Sequence, residues 1–240
     1  MFRAVTLNLS YLGTRHGPWP ARRALVIDAL RALQPDVVAL QAVWRTVAGD
    51  SQADELAREV PGYEYVAFEP AAENVQGSKG LALLSRGALA QIEPRMLGLR
   101  AGTEDPDRRI VLRAHAGDLC LYNVHFSWVP EQVADNVREA LPFLRVRGPA
   151  LVLGDFNLTP EDPLHARFLE EGWTDAWQAL RPRDPGYTFE SDAPSMRIDY
   201  VYVNEPLSAR LRAIDLVGGG RATPPRLSDH LGVVVDLDLD

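Results

Sequence analysis

Ten short runs of strand-forming residues cross this chain of 240 residues, at 2–8, 37–41, 63–68, 81–85, 110–116, 119–125, 150–155, 199–203, 209–217 and 232–237. Only four helical stretches lie among them, at 22–33, 52–60, 131–144 and 164–170. The first places Ala24, Leu25, Ile27, Ala29, Leu30 and Leu33 on a helical period, and Asp50-Ser51, Pro130 and Asp162-Pro163 supply starts for the others. So many strands do not fit a singly wound sheet. The order runs strand-helix-strand-helix, then strands in succession, then strand-helix-strand. Two mixed sheets stacked face to face with helices outside satisfy that order, which makes the expected fold class α/β, a four-layer α/β/β/α sandwich.

With 46% hydrophobic residues the chain can bury a large core, and residues 1–240 are read as one domain. The Pro- and Gly-bearing stretches 98–107, 181–186 and 218–225 are short and fall between strands, so they read as loops. The first residues enter a strand pattern without a charged leader or apolar h-region, and no apolar run reaches membrane-span length, which gives the expectation of a cytoplasmic protein. The single cysteine, Cys120, lies in an apolar run and is expected to be a buried, inert thiol. A formal net charge of −8 disfavours a protein that coats nucleic acid, although it leaves room for a locally basic cleft. Only one of the 25 basic residues is a lysine, Lys79, and it precedes the run at 81–85 as a candidate phosphate contact.

Several strands end in a polar side chain. Asn8 ends the first, Gln41 the second, and Asn123 and His125 the run at 119–125. The apolar stretch Ala150-Leu151-Val152-Leu153 stops at Gly154 and delivers Asp155 and Asn157, two apart and so directed the same way. Asp199 opens another strand, and Ser228-Asp229-His230 precedes the last. A carboxylate at a strand end can take a proton from water or bind a metal while a neighbouring amide holds the reacting group. Any one of these residues reads equally well as a cap or turn. A set at the rim of a sheet pair points to chemistry.

Taken in order, Thr6-Leu7-Asn8, Leu40-Gln41-Ala42-Val43-Trp44, the stretch 80–86, Asn123-Val124-His125, the stretch 154–157, Arg197-Ile198-Asp199-Tyr200-Val201 and Ser228-Asp229-His230 resemble the endonuclease/exonuclease/phosphatase superfamily of metal-dependent phosphoesterases. The resemblance implies the four-layer sandwich with its site at one edge of the paired sheets. It also implies that Asp155 accepts a proton from, or orients, the attacking water, and that Asn157 fixes the phosphate or that water. His230, steadied by Asp199, and His125 would donate hydrogen bonds to phosphoryl oxygens. Asn8 and Asp229 would hold Mg²⁺ or Mn²⁺, which needs only one or two protein carboxylates beside water and substrate phosphate. One position departs from the pattern: the metal-binding Glu of the family falls on Ala42, whose methyl group coordinates nothing. A displaced ligand such as Glu69 or Glu73, an introduced substitution and a natural loss of activity are the three accounts of it.

Trp44 and Trp128 follow Gln41 and His125 by three positions, Tyr11 follows Asn8 likewise, and Trp19 lies further along. On a shared rim they would flank a base or an apolar alcohol. Arg221 and Arg226 would clamp phosphate from the other side, with Lys79 and Asn123 completing the substrate contacts. The expected substrate is a phosphorylated small molecule, a lipid headgroup or a nucleic-acid end, with no protein partner required. The alternatives are a nuclease acting on nucleic-acid ends or damaged DNA, and an impaired relative that binds phosphorylated ligands without turnover.

Overall fold

The computed structural model describes residues 1–220 and 223–239, which form twelve strands and six helices. One sheet has the order β11 (Leu211–Val217), β12 (Gly232–Leu237), β1 (Phe2–Asn8), β2 (Val37–Thr46), β4 (Gly77–Ser85), β3 (Tyr65–Asn74). The other has β5 (Leu89–Met96), β6 (Ile110–Ala116), β7 (Leu119–His125), β8 (Ala150–Asp155), β10 (Asp199–Val203), β9 (Thr174–Asp175). In each sheet one central pair is parallel, β1 with β2 and β7 with β8, and the remaining pairs are antiparallel. The parallel pairs are bridged by α1 (Trp19–Leu33) and α3 (Pro130–Leu144), as a parallel crossover requires.

The central strands are apolar on both faces because both faces are covered. In β8, Leu151 and Leu153 face the opposite sheet, while Ala150 and Val152 pack under α3 and α4 (Pro163–Glu170). In β2, Val37 and Ala39 face inward and Val38 and Leu40 pack under α1 and α2 (Gln52–Glu59). Three apolar layers thus separate four structural layers, the α/β arrangement of two stacked six-stranded mixed sheets that the element order predicts. Helix starts follow their local chemistry. Ser51 and Asp54 close a capping box on α2, and the Asp162 carboxylate accepts from the Leu164 amide at the head of α4. None of the described helices is long and apolar enough to cross a membrane. Cys120 is buried, and burial raises its thiol pKa, in line with an inert side chain.

Elements beyond the sequence reading are β5, β9, α5 (Ala176–Leu180) and α6 (Glu205–Ser208). β5 is an edge strand, largely exposed, with Pro94 inside it and a bulge between Ala90 and Glu93. Edge position and a bulge both erase the alternation by which a strand is recognised.

Candidate active site

Strand parity decides which polar side chains meet. Asn8, Gln41, Asn123, His125, Asp155 and Asp199 share the parity of inward-facing residues on their strands, so they face the gap between the sheets at one end. Register then lines up His125 with Asp155 and Asp155 with Asp199, on three adjacent strands. Gly154 makes the close β7–β8 approach possible: at φ +149°, a Cβ on it would lie 2.0 Å from the Val124 carbonyl oxygen.

Asp155 is the hub. Its Oδ2 accepts from Asn8 Nδ2 at 2.8 Å across the sheet interface, and lies 3.4 Å from His125 Nε2 and 3.7 Å from His230 Nε2. Its Oδ1 accepts from the Asn157 amide at 3.0 Å, and Asn157 Nδ2 donates to the Phe126 carbonyl at 2.9 Å. His230 Nδ1 lies 2.9 Å from Asp199 Oδ2, and the Phe189 ring packs against its imidazole at 4.8 Å. Thr188 Oγ1 accepts from the amides of Ile198 and Asp199, tying down the start of β10. Ser10, absent from the sequence reading, joins two candidate ligands: its amide donates to Asn8 Oδ1 at 2.8 Å and its hydroxyl to Asp229 Oδ2 at 3.1 Å.

Burial pushes the Asp155 carboxyl up to about 7, with the His230 charge opposing and Asp199 reinforcing. Burial works to lower the His230 imidazole, but the negative charges of Asp199 and Asp155 outweigh it and raise the pKa to about 10. His125 is held well below the ordinary value by burial, then by the charges of Arg109 and His230. One imidazole is therefore charged at neutral pH and the other neutral. In metal-free protein, a side-chain ¹⁵N NMR titration is expected to show His230 protonated from neutrality up to about pH 10 and His125 unprotonated. Two ordinary titrations near 6.5 would contradict this arrangement.

Backbone strain concentrates here. Ser10, Tyr11, Ala42 and Asn157 all adopt positive φ, from 46° to 54°. Ala42 is buried and sits in a bulge of β2, between Leu40 and Val43, where its carbonyl accepts from the Tyr11 amide. Arg22 holds the facing loop. Although fully buried, its guanidinium donates to the carbonyls of Gly17, Leu9, Leu227 and Tyr11.

Beside His125 a small cavity of about 10 Å³ is walled by Tyr11, Lys79, Asp107 and Arg109 among others. Lys79 Nζ bonds Asp107 Oδ2 at 2.8 Å and lies 5.0 Å over the Tyr11 ring. Arg109 is locked more firmly on Asp105, at 2.7 and 3.1 Å, with Ser127 Oγ donating to the same Asp105 oxygen at 2.6 Å. The Arg109 and Asp105 side chains are 8% and 2% exposed, against 31% and 21% for Lys79 and Asp107. Breaking the buried Arg109–Asp105 pair would cost roughly 3–5 kcal/mol, more than parting the half-buried Lys79–Asp107 pair. The aspartates and Arg109 carried no signal in an arginine-rich chain.

Among the expected substrate contacts, Asn123 and Arg226 are engaged with other protein partners. Asn123 is a correction: it is fully buried between the sheets, accepting from Gln41 Nε2 and donating to the carbonyls of Leu40 and Ala82, so it has no face for substrate. Arg226 is buried against Asp192 at 3.4 Å rather than open to the cleft. Trp44 is half-buried against Gly77, and Trp128 is 55% exposed. Trp19 packs down with its indole N–H on Glu55. Arg221 lies outside the described residues.

Asp155, Asp199 and His230 could hold a metal ion, since each offers a ligand atom and these lie within 4.8 Å of one another. Asp199 Oδ1 is buried without a hydrogen-bond partner, an oxygen that a cation or water would satisfy. The family model for the Endonuclease/Exonuclease/phosphatase family matches residues 5–230. The chain belongs to this family of metal-dependent phosphoesterases. Solved structures with the same architecture include an endonuclease/exonuclease/phosphatase family protein from Leptotrichia buccalis, with TM-score 0.80, 16% identity and 100% of both chains covered. A 3'-5' exonuclease from Neisseria meningitidis has TM-score 0.74 and 20% identity, over 99% of this chain and 100% of that one. A mannosyl-6-phosphatase from Bacteroides thetaiotaomicron has TM-score 0.77 and 16% identity over 100% of both. At these identities the likeness shows the shared fold. No curated protein matches the chain by sequence.

Proposed function

We propose that this phosphoesterase hydrolyses a phosphate ester by in-line attack of water. The observation that carries the reading is the Asp155 carboxylate, whose one oxygen is ringed by Asn8, His125 and His230 from both sheets. In this reading Asp155 takes the proton of a water as its oxygen bonds phosphorus, while the bond from phosphorus to the leaving oxygen breaks. The His230 cation, held by Asp199, stabilises the charge on the phosphoryl oxygens, and Asn157 orients the water or the phosphate.

Asn8 Oδ1 and the Asp229 carboxylate, bridged by Ser10, would hold Mg²⁺ or Mn²⁺ through hard oxygen donors. The Asp155, Asp199 and His230 group suits such an ion less well, because His230 would first have to give up its proton. When bound, the cation polarises the phosphoryl oxygen and stabilises the leaving oxygen. With Ala42 in the family's Glu position, Asp229 carries most of the attraction. Ala42→Glu is therefore expected to lower the Mn²⁺ concentration for half-maximal activity by roughly tenfold or more.

The test is a panel of phosphomonoesters, phosphodiesters, sphingomyelin-like lipids and oligonucleotides with Mn²⁺, for the wild type and Ala42→Glu. Hydrolysis that EDTA abolishes is expected; hydrolysis unaffected by EDTA, or none in either protein, would sink the reading. Ala42 also favours a second reading, a phosphate-ligand binder without turnover, in which only Ala42→Glu would hydrolyse. Among substrates, the net charge of −8 favours a discrete ester over a long polyanion, whose binding would fall steeply with salt.

A further inference from the structure

We propose that the Lys79–Asp107 ion pair is a specificity gate, which a phosphomonoester dianion opens by drawing Lys79 from Asp107 onto its own phosphoryl oxygens. The inference rests on the phosphoesterase reading of the same site and adds a substrate class to it. Geometry comes first. The cavity beside His125 is about 10 Å³, room for roughly one water. Its lining includes a bonded pair with one residue from each sheet's side, Lys79 on β4 and Asp107 on the loop between β5 and β6. An ester group larger than one water fits beside His125 only if part of this lining shifts, and the Lys79–Asp107 pair is the part we take to yield.

Three cations line the cavity, Lys79, Arg109 and the exposed Arg108, and of the two paired to carboxylates Lys79 is the more loosely held. Arg109 is fixed by two hydrogen bonds to a carboxylate that Ser127 also holds. Lys79 has a flexible stem, three donors around one ammonium and a partly exposed partner. The Tyr11 ring under the ammonium favours the cation on the cavity side, so the amine can swing without losing all its partners.

Charge then sets the selectivity. Two of the lining cations are already matched, Lys79 by Asp107 and Arg109 by Asp105, while Arg108 adds a positive charge at an exposed position. To win Lys79, a substrate must compete with one carboxylate charge. A phosphomonoester carries close to two negative charges at pH 7 and outcompetes it, whereas a diester carries one and does not. Asp107 thus acts as a built-in competitor that singly charged esters fail to displace.

The experiment compares kcat/KM for p-nitrophenyl phosphate and bis(p-nitrophenyl) phosphate, with Mn²⁺, in the wild type, Lys79→Met and Asp107→Asn. The wild type is expected to prefer the monoester. Both variants are expected to shrink that preference about tenfold, the value of one charge-assisted hydrogen bond. They do so from opposite sides: Lys79→Met by losing monoester turnover, Asp107→Asn by gaining diester turnover. Equal losses on both esters mean a merely structural pair and overturn the gate, as does a wild-type preference for the diester. Calorimetric titration of inorganic phosphate into the same Mn²⁺-loaded proteins needs no turnover. Weaker binding in Lys79→Met and tighter binding in Asp107→Asn support the gate; equal affinities overturn it. Failure of the wild type to hydrolyse either ester, with those phosphate affinities still separated, would count against hydrolysis and leave the gate standing.

Discussion

Asp155→Asn is expected to lower kcat by about 10²- to 10⁴-fold, the range for removal of a positioned general base. The replacement keeps the shape and can keep an oxygen toward Asn8, so the two sheets stay joined at that point. It removes the base that an attacking water needs, and it leaves His125 and His230 facing a neutral oxygen where a charge stood. Saturating Mn²⁺ separates the chemical step from cation affinity, and circular dichroism checks the fold. A variant that keeps more than a tenth of wild-type kcat under those conditions would remove Asp155 from the role of base. The activity then has to come from another group, and His125, neutral and adjacent, is the next to replace.

Arg22→Met is expected to destabilise the protein by about 3 kcal/mol or more, because a buried charged donor is lost and its carbonyl acceptors stay buried. The methionine fills much of the volume, so cavity formation contributes little. The acceptors that lose their partner are the carbonyls of Leu9, Tyr11, Gly17 and Leu227, all on loops beside the site. For a chain of this length that corresponds to a fall of roughly 6–12 °C in Tm. Arg22→Lys recovers little, since one ammonium cannot span the same four carbonyls. A shift under 2 °C in a calorimetric scan would show that these loops hold themselves.

Much of this was readable in the residues, for physical reasons that differ from element to element. β8 and β2 declare themselves because burial on both faces demands continuous apolar runs, and α2 because Ser51 and Asp54 sit at capping spacing. The seven residues Asn8, His125, Asp155, Asn157, Asp199, Asp229 and His230 stand at strand ends or in the loops beside them, so the fold brings them to one edge of the sandwich. β5 was hidden by its exposure, its proline and its bulge. Asn123 misled because strand parity says which face a side chain takes but not how deep it lies. Two residues before His125, the same face is already sealed by the opposite sheet. Ser10, Arg22 and Asp107 have no motif; their roles arise mostly from partners more than ten positions distant in sequence, apart from the Ser10–Asn8 and Arg22–Gly17 contacts.

The contact between Asn8 and Asp155 joins the two halves of the sandwich at the reaction centre, and the Gln41–Asn123 bond rivets them one layer below. Neither half carries a workable set of groups alone. In the proposed reading catalysis depends on how the halves are spaced and aligned: a slip of an ångström between them would leave each strand intact and the chemistry dismantled. Heat, pressure or a distant core substitution that loosens their mutual seat should silence the enzyme while its helices and strands persist.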